Sequence, residues 1–146
     1  MSFTGLDVFD RTLQKTHIWL NDMMQELATD DKHQAYTAMR AALHALRDRL
    51  TIEEAAQLAA QLPMLIRGFY YEGWDPTRVP LRERSRDEFL ARIADECRTN
   101  VPLDEELVAR ATFRVLAKRV TEGEIEDVEA MLPKEIAELW PSRAHA

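Results

Sequence analysis

Residues 49–63 read RLTIEEAAQLAAQLP, and residues 119–133 read RVTEGEIEDVEAMLP. Both stretches hold Arg-x-Thr-x-x-Glu and then Leu-Pro at the same spacing, and the second lies 70 positions after the first. Extending the overlay without a gap, residues 16–70 against 86–140, gives 13 identities in 55 pairs, among them Leu20/Leu90, Arg40/Arg110, Thr51/Thr121 and Pro63/Pro133. Other pairs keep their character, such as Trp19/Phe89, Leu43/Phe113 and Tyr70/Trp140. Leucine and alanine are common enough to match by chance, but a shared cap signature and a shared Leu-Pro are not. The spacing predicts a helical unit made twice.

Within each unit the apolar period is helical. Phe9, Leu13, Thr16, Leu20, Met23 and Leu27 recur at steps of three and four, which predicts a first helix over about residues 6–28 with these on one stripe. Tyr36, Met39, Leu43, Leu46 and Leu50 predict a second. Between them Thr29-Asp30-Asp31 supplies a turn, and Asp31 with Gln34 has capping-box spacing. A third helix opens at Thr51, whose hydroxyl is expected to accept from the Glu54 amide while the Glu54 carboxylate reaches back. Leu50 and Ala55 form the matching apolar staple. Thr121, Glu124, Val120 and Ile125 repeat the arrangement. Leu-Pro at 62–63 and 132–133 then restarts the chain as a short fourth helix, because a first turn tolerates the missing amide.

Composition agrees. A chain of 146 residues, 46% hydrophobic and 31% charged, is of ordinary globular character, and four glycines and six prolines are too few for many hairpins. The expected fold is all-α: two pseudo-repeated bundles of about four helices each, packed into one compact domain. The first repeat spans 1–72, a linker 73–85, the second repeat 86–141, and a disordered tail 142–146. One shared core is expected, since a unit of about 60 residues is marginal alone.

The stretch FYYEGWDP at 69–76 ends the fourth helix of the first unit. Gly73 suits the left-handed position after a helix, and Asp75-Pro76 suits a turn. Phe69 and Tyr70 overlay on Leu139 and Trp140, so each unit ends in bulky residues able to close its own bundle. Tyr71, Glu72 and Trp74 have no counterpart in the second copy. They are therefore the candidates for contact with a partner.

Chemistry-bearing patterns are sparse. His17, His33, His44 and His145 form no metal-ligating pair, and Asp30-Asp31-Lys32-His33 reads as a solvated helix start. Cys97 overlays on Leu27 and reads as a small buried residue. The glycines are isolated, so no loop cradles a phosphate. No catalytic, metal or cofactor-binding residue is expected, and no cofactor. Net charge is −7, which opposes nucleic-acid binding unless cations segregate. Arg40, His44 and Arg47 share a face of the second helix, and Arg110, Arg114 and Lys118 occupy the corresponding helix. These stripes suit an anion or an acidic partner, or equally a solvated face. Arg78, Arg82, Arg84 and Arg86 crowd the linker beside Trp74, where stacking on Trp74 or Tyr71 would also account for them. The opening residues lack a secretory pattern, and the run AAQLAAQLPMLI is too short to span a bilayer, so the cytoplasm is the expected location.

The pattern Leu46…Arg49-Leu50-Thr51…Glu54…Leu58-Ala59-Ala60-Gln61-Leu62-Pro63, then Glu72-Gly73-Trp74-Asp75-Pro76, Asp87-Glu88-Phe89-Leu90, and Gly123-Glu124-Ile125-Glu126-Asp127-Val128…Met131-Leu132-Pro133 resembles the bacterial family Domain of Unknown Function 2267, over about residues 12–140. The resemblance implies an all-helical bacterial protein with two similar halves, and it implies no activity. The expected function is non-enzymatic: contact with a protein partner through Tyr71, Glu72, Trp74 and Arg78, with Arg40 and Arg110 as further candidates. The alternative is a small-molecule or enzymatic site in the crevice between the repeats. The partner and the oligomeric state are not specified by these residues, and neither a membrane nor a nucleic-acid partner is expected.

Overall fold

The computed structural model describes residues 2–98 and 103–142, so Thr99, His145 and positions 143–146 of the expected tail fall outside it. Eight helices follow in order: α1 (Asp7–Leu27), α2 (Lys32–Arg47), α3 (Ile52–Ala59), α4 (Met64–Tyr71), α5 (Arg86–Glu96), α6 (Glu105–Arg119), α7 (Glu122–Ala130) and α8 (Lys134–Ala137). Among the described residues there is no strand, and the all-α class read from the periodicity holds.

Short polar side chains open most of these helices. Asp31 accepts from the amides of His33 (2.9 Å) and Gln34 (3.2 Å), Ser85 from Glu88 (3.1 Å), and Asp104 from Glu106 (3.0 Å). Each bond satisfies an amide that has no partner inside the helix. Thr51 caps α3 as expected, accepting from Glu54 N at 3.2 Å. Thr121 stands at the opening of α7 but makes no cap bond of its own. Gln61, from the turn after α3, binds Thr121 instead: Gln61 Oε1 accepts from Thr121 N, the amide expected to face the Glu124 carboxylate, and Gln61 Nε2 donates to Thr121 Oγ1, both at 2.9 Å. The expected capping box is thereby corrected: at α7 neither half forms, and at α3 only the hydroxyl half does. α3 packs on α7, and this contact turns the Glu54 and Glu124 carboxylates inward, leaving them only 5% and 8% exposed.

The four longer helices surround a single apolar cluster. α2 lies at its centre, against α1, α4, α5 and α6; α1 also meets α6 and α4, and α5 meets α6 and α8. Ala35, Ala38, Ala41, Ala42 and Ala45 on α2 are buried, and small side chains let neighbouring axes approach on several sides at once. Tyr70 fills the space below α3 and donates its hydroxyl to Ala55 O at 2.9 Å. Trp140 lies flat on Phe113, with ring centres 4.2 Å apart and planes 5° apart. Cys97 is buried, and loss of hydration, then the charges of Glu96 and Glu105, push its thiol up to about 11. It is inert packing.

The stripe on α1 is rotated from the one expected. Phe9 is 45% exposed, and the buried positions are Thr12, Thr16, Trp19, Leu20, Asp22, Met23 and Leu27. Two polar contacts lie on the buried side: Thr12 Oγ1 accepts from Leu65 N on α4 (3.3 Å), and Asp22 takes a two-pronged bond from Arg119 at the end of α6 (2.7 and 3.1 Å). Trp19 joins the buried face in place of Phe9, which lies near the helix start.

The two threonines yield different tests. Thr51→Ala removes a cap and should cost about 1 kcal/mol in denaturant unfolding. Thr121→Ala and Gln61→Ala should be non-additive, with a coupling of up to about 1 kcal/mol in a double-mutant cycle, because Thr121→Ala removes the hydroxyl bond, one of the two that Gln61→Ala removes. Strict additivity would show that the bond to the Thr121 hydroxyl contributes nothing.

Candidate functional site

The segment 72–85 between α4 and α5 is where the chain's unmatched residues gather. α4 stops because Gly73 takes a left-handed conformation (φ +74°), which costs glycine nothing. Asp75 Oδ1 then accepts from Thr77 N (3.0 Å) and Thr77 Oγ1 (2.6 Å), closing a tight turn at Asp75-Pro76. These bonds from Thr77 hold the exposed Asp75 carboxyl below its usual range.

Cations of α2 bind the end of α4. Arg47 is buried and donates through Nη1 to the carbonyls of Tyr70 (2.5 Å) and Glu72 (2.6 Å), which the ended helix leaves open. His44 Nε2 donates to Phe69 O at 2.6 Å, and its Nδ1 faces the Glu96 carboxylate at 2.9 Å. Arg40 bridges Glu72 (3.2 Å) and Glu96 (2.9 Å). Burial alone would raise the Glu96 carboxyl, but the His44 bond and the charges of His44, Arg40 and Arg47 outweigh it and hold the group below its usual range. Further along, Leu81 N donates to Asp48 O at 2.7 Å, and Arg92 joins Asp48 (2.6 Å) to Glu83 (2.7 Å). The connector is thus tied down along its length.

The sequence-derived candidates fall into four settings. Tyr71 and Trp74 are half-buried against the core, with ring centres 5.2 Å apart, so Trp74 packs on a tyrosine rather than under an arginine. Glu72 and Arg40 face each other across the α2–α4 contact. Arg78 is exposed, with a 3.5 Å contact to Asp75. Arg110 belongs to a separate network, on Glu106 at 2.9 Å, and Glu106 also meets Arg86 at 3.8 Å. The basic stripes are internally neutralised: Arg114 meets Glu26 (3.4 Å), and Lys118 joins Arg119 on Asp22.

Arg49 is the exception, and in the sequence it stands out only within the repeat motif and the family pattern. It is 7% exposed, its Nε has no hydrogen-bond partner, and among the described residues it makes no ion pair. Loss of hydration, with Arg84 and Arg92 nearby, depresses its affinity for its proton, and only the charge of Glu83 opposes them. Arg49 forms the floor of an open cleft of about 790 Å³ whose walls include Arg78, Arg82 and Arg84. The missing counter-ion was legible as a change of sign: Asp22, the partner of Arg119, overlays on Arg92.

A second cluster lies where α3 meets α7. Carboxylate oxygens of Glu54, Glu124 and Asp127 fall within 4.8 Å of one another, a spacing that could hold a cation. Two of these groups are buried, and burial, then the Glu54 contact and the charges of Glu54 and Asp127, push the Glu124 carboxyl up to about 8. Glu124 therefore keeps its proton at neutral pH. Such an acid favours folding fully below its unfolded value near 4.5, and that contribution is lost as pH rises through about 8. Wild-type stability should therefore fall across this window, and Glu124→Gln, which stays neutral, should flatten the slope in urea titrations; equal slopes would refute a protonated Glu124. Glu96 has the opposite sign. Its contribution is present above the unfolded value near 4.5 and lost as pH falls through the depressed one, so Glu96→Gln should flatten the acid limb of the same titration.

Among the described residues, no helix is long and apolar enough to cross a membrane. No curated protein matches the chain. The family model described as uncharacterized conserved protein (DUF2267) matches residues 16–139, and with most of its length covered the chain belongs to that family.

Proposed function

We propose that this chain is a non-enzymatic helical protein of the cytoplasm that acts by binding a protein partner, and that its contact surface is the connector 72–85 with the arginine cleft behind it. The observation that carries this reading is the allocation of cations. The basic residues on the α2 and α6 stripes are engaged by internal acids or carbonyls, whereas Arg49, Arg82 and Arg84 make no ion pair among the described residues. The tethers from Arg47, Asp48 and Arg92 hold the connector in one shape, which lowers the entropy lost on binding. Arginine and tryptophan, which this one connector carries, are also residue types enriched where binding energy concentrates. The partner surface is acidic.

The two-repeat architecture, 1–72 and 86–141 about a 73–85 linker, belongs to the same proposal. Its support is reciprocal contact. Thr121 meets Gln61 and Thr51 meets Met131, positions 61 and 131 being 70 apart, and α1 packs on α6 as α5 packs on α2.

A second reading, a small-molecule or enzymatic site between the repeats, is favoured by an open groove of about 350 Å³ between α2 and α5, lined by His44, Arg47, Asp48, Arg92, Asp95 and Glu96. Most of these polar groups already bond one another, so the connector is the stronger choice. The test is Arg78→Ala with Arg82→Ala and Arg84→Ala, all exposed positions. The triple variant should melt as the wild type does and lose capture of its partner, and wild-type capture should weaken with salt. Unchanged capture by the folded variant refutes the reading.

A further inference from the structure

We propose that the cleft around Arg49 binds a phosphoryl dianion. This rests on the connector as the contact surface and names the chemistry it recognises. The starting observation is the contrast between two arginines at overlaid positions. Arg119 is satisfied by the fork of bonds to Asp22 at 2.7 and 3.1 Å. Arg49 is 7% exposed and has Arg92 where an aspartate would answer it, and Arg92 turns away to Asp48 and Glu83. A buried guanidinium with an unpartnered Nε, where Arg84 and Arg92 outnumber the single acid Glu83 and no ion pair forms among the described residues, calls for an anion from outside the chain.

The cleft supplies the rest of a site. Arg78, Arg82 and Arg84 line the same space as Arg49, and the bond from Leu81 N to Asp48 O fixes the strand of backbone that carries them. Several guanidinium forks around one space offer more donors than the two oxygens of a carboxylate can accept. The three oxygens and double charge of a phosphoryl group match that number. An opening of about 790 Å³ admits the group either as the free ion or carried on a larger molecule. A nucleic-acid backbone is a poorer match, because it needs a row of free cations and the helical rows are paired.

The experiment is calorimetric titration of the full chain with inorganic phosphate, sodium chloride holding ionic strength constant. A second arm uses a phosphoserine peptide and its unphosphorylated twin. The wild type should bind phosphate saturably, and Arg82→Ala with Arg84→Ala should bind at least about tenfold more weakly while melting at the same temperature. Arg49→Lys, which keeps the charge and loses the fork, should also weaken binding. A phosphopeptide that binds more tightly than phosphate, with a silent twin, identifies a phosphorylated partner as the source. Binding of phosphate and phosphopeptide alike supports the site with the free ion as its ligand. No saturable heat with either, equal binding by the twin, or wild-type affinity in the double variant overturns the proposal. If the triple variant still loses its partner while phosphate does not bind, the contact surface stands and only the phosphoryl chemistry falls.

Discussion

Helix α2 has neighbours on four sides, and the packing of its alanines against α1, α4, α5 and α6 is the constraint on which the other features depend. A helix so enclosed has little room for charge. The basic residues that its sequence places near the rim are consequently drawn into the structure: Arg47 and His44 bind the carbonyls that α4 leaves open, and Arg40 crosses to Glu72 and Glu96. What looks in sequence like a cationic stripe for a ligand is, in the fold, a set of fasteners joining α2 to α4 and α5.

That use of cations also isolates the places that depart from it. Arg49 sits two residues beyond Arg47, near Glu83, Arg84 and Arg92, and makes no ion pair among the described residues. Glu54 and Glu124 are its acidic counterpart, two buried carboxyls pressed together where α3 meets α7. Both irregularities arise at contacts between the two halves of the chain, where the packing of apolar neighbours dictates which polar groups face each other. Locally unfavourable charge is held there by the burial around it.

FYYEGWDP divides between the two roles open to it. Tyr70 is fully buried and bonded to Ala55, and Phe69, Tyr71 and Trp74 lean on the core, so the aromatics close the bundle. Glu72 and Asp75 lie outward, and Arg78, Arg82 and Arg84, which follow them, line the cleft. A plug that seals a core on one side can hold a recognition loop still on the other, and rigidity is what the second role needs from the first.

What the sequence determined by itself is what local chemistry controls. Helix identity followed from apolar spacing, the opening at Thr51 from its hydroxyl three residues before Glu54, and the end of α4 from Gly73, since each depends on groups within one turn of chain. The exposure of Phe9, the bonding of Thr121 to Gln61 rather than to its own helix, the inward turn of Glu54 and Glu124, and the absence of an ion pair at Arg49 were decided only by tertiary structure. Each of these depends on which distant helix arrives alongside, and that is set by burying a whole apolar face, against which a single hydrogen bond or ion pair is a small term.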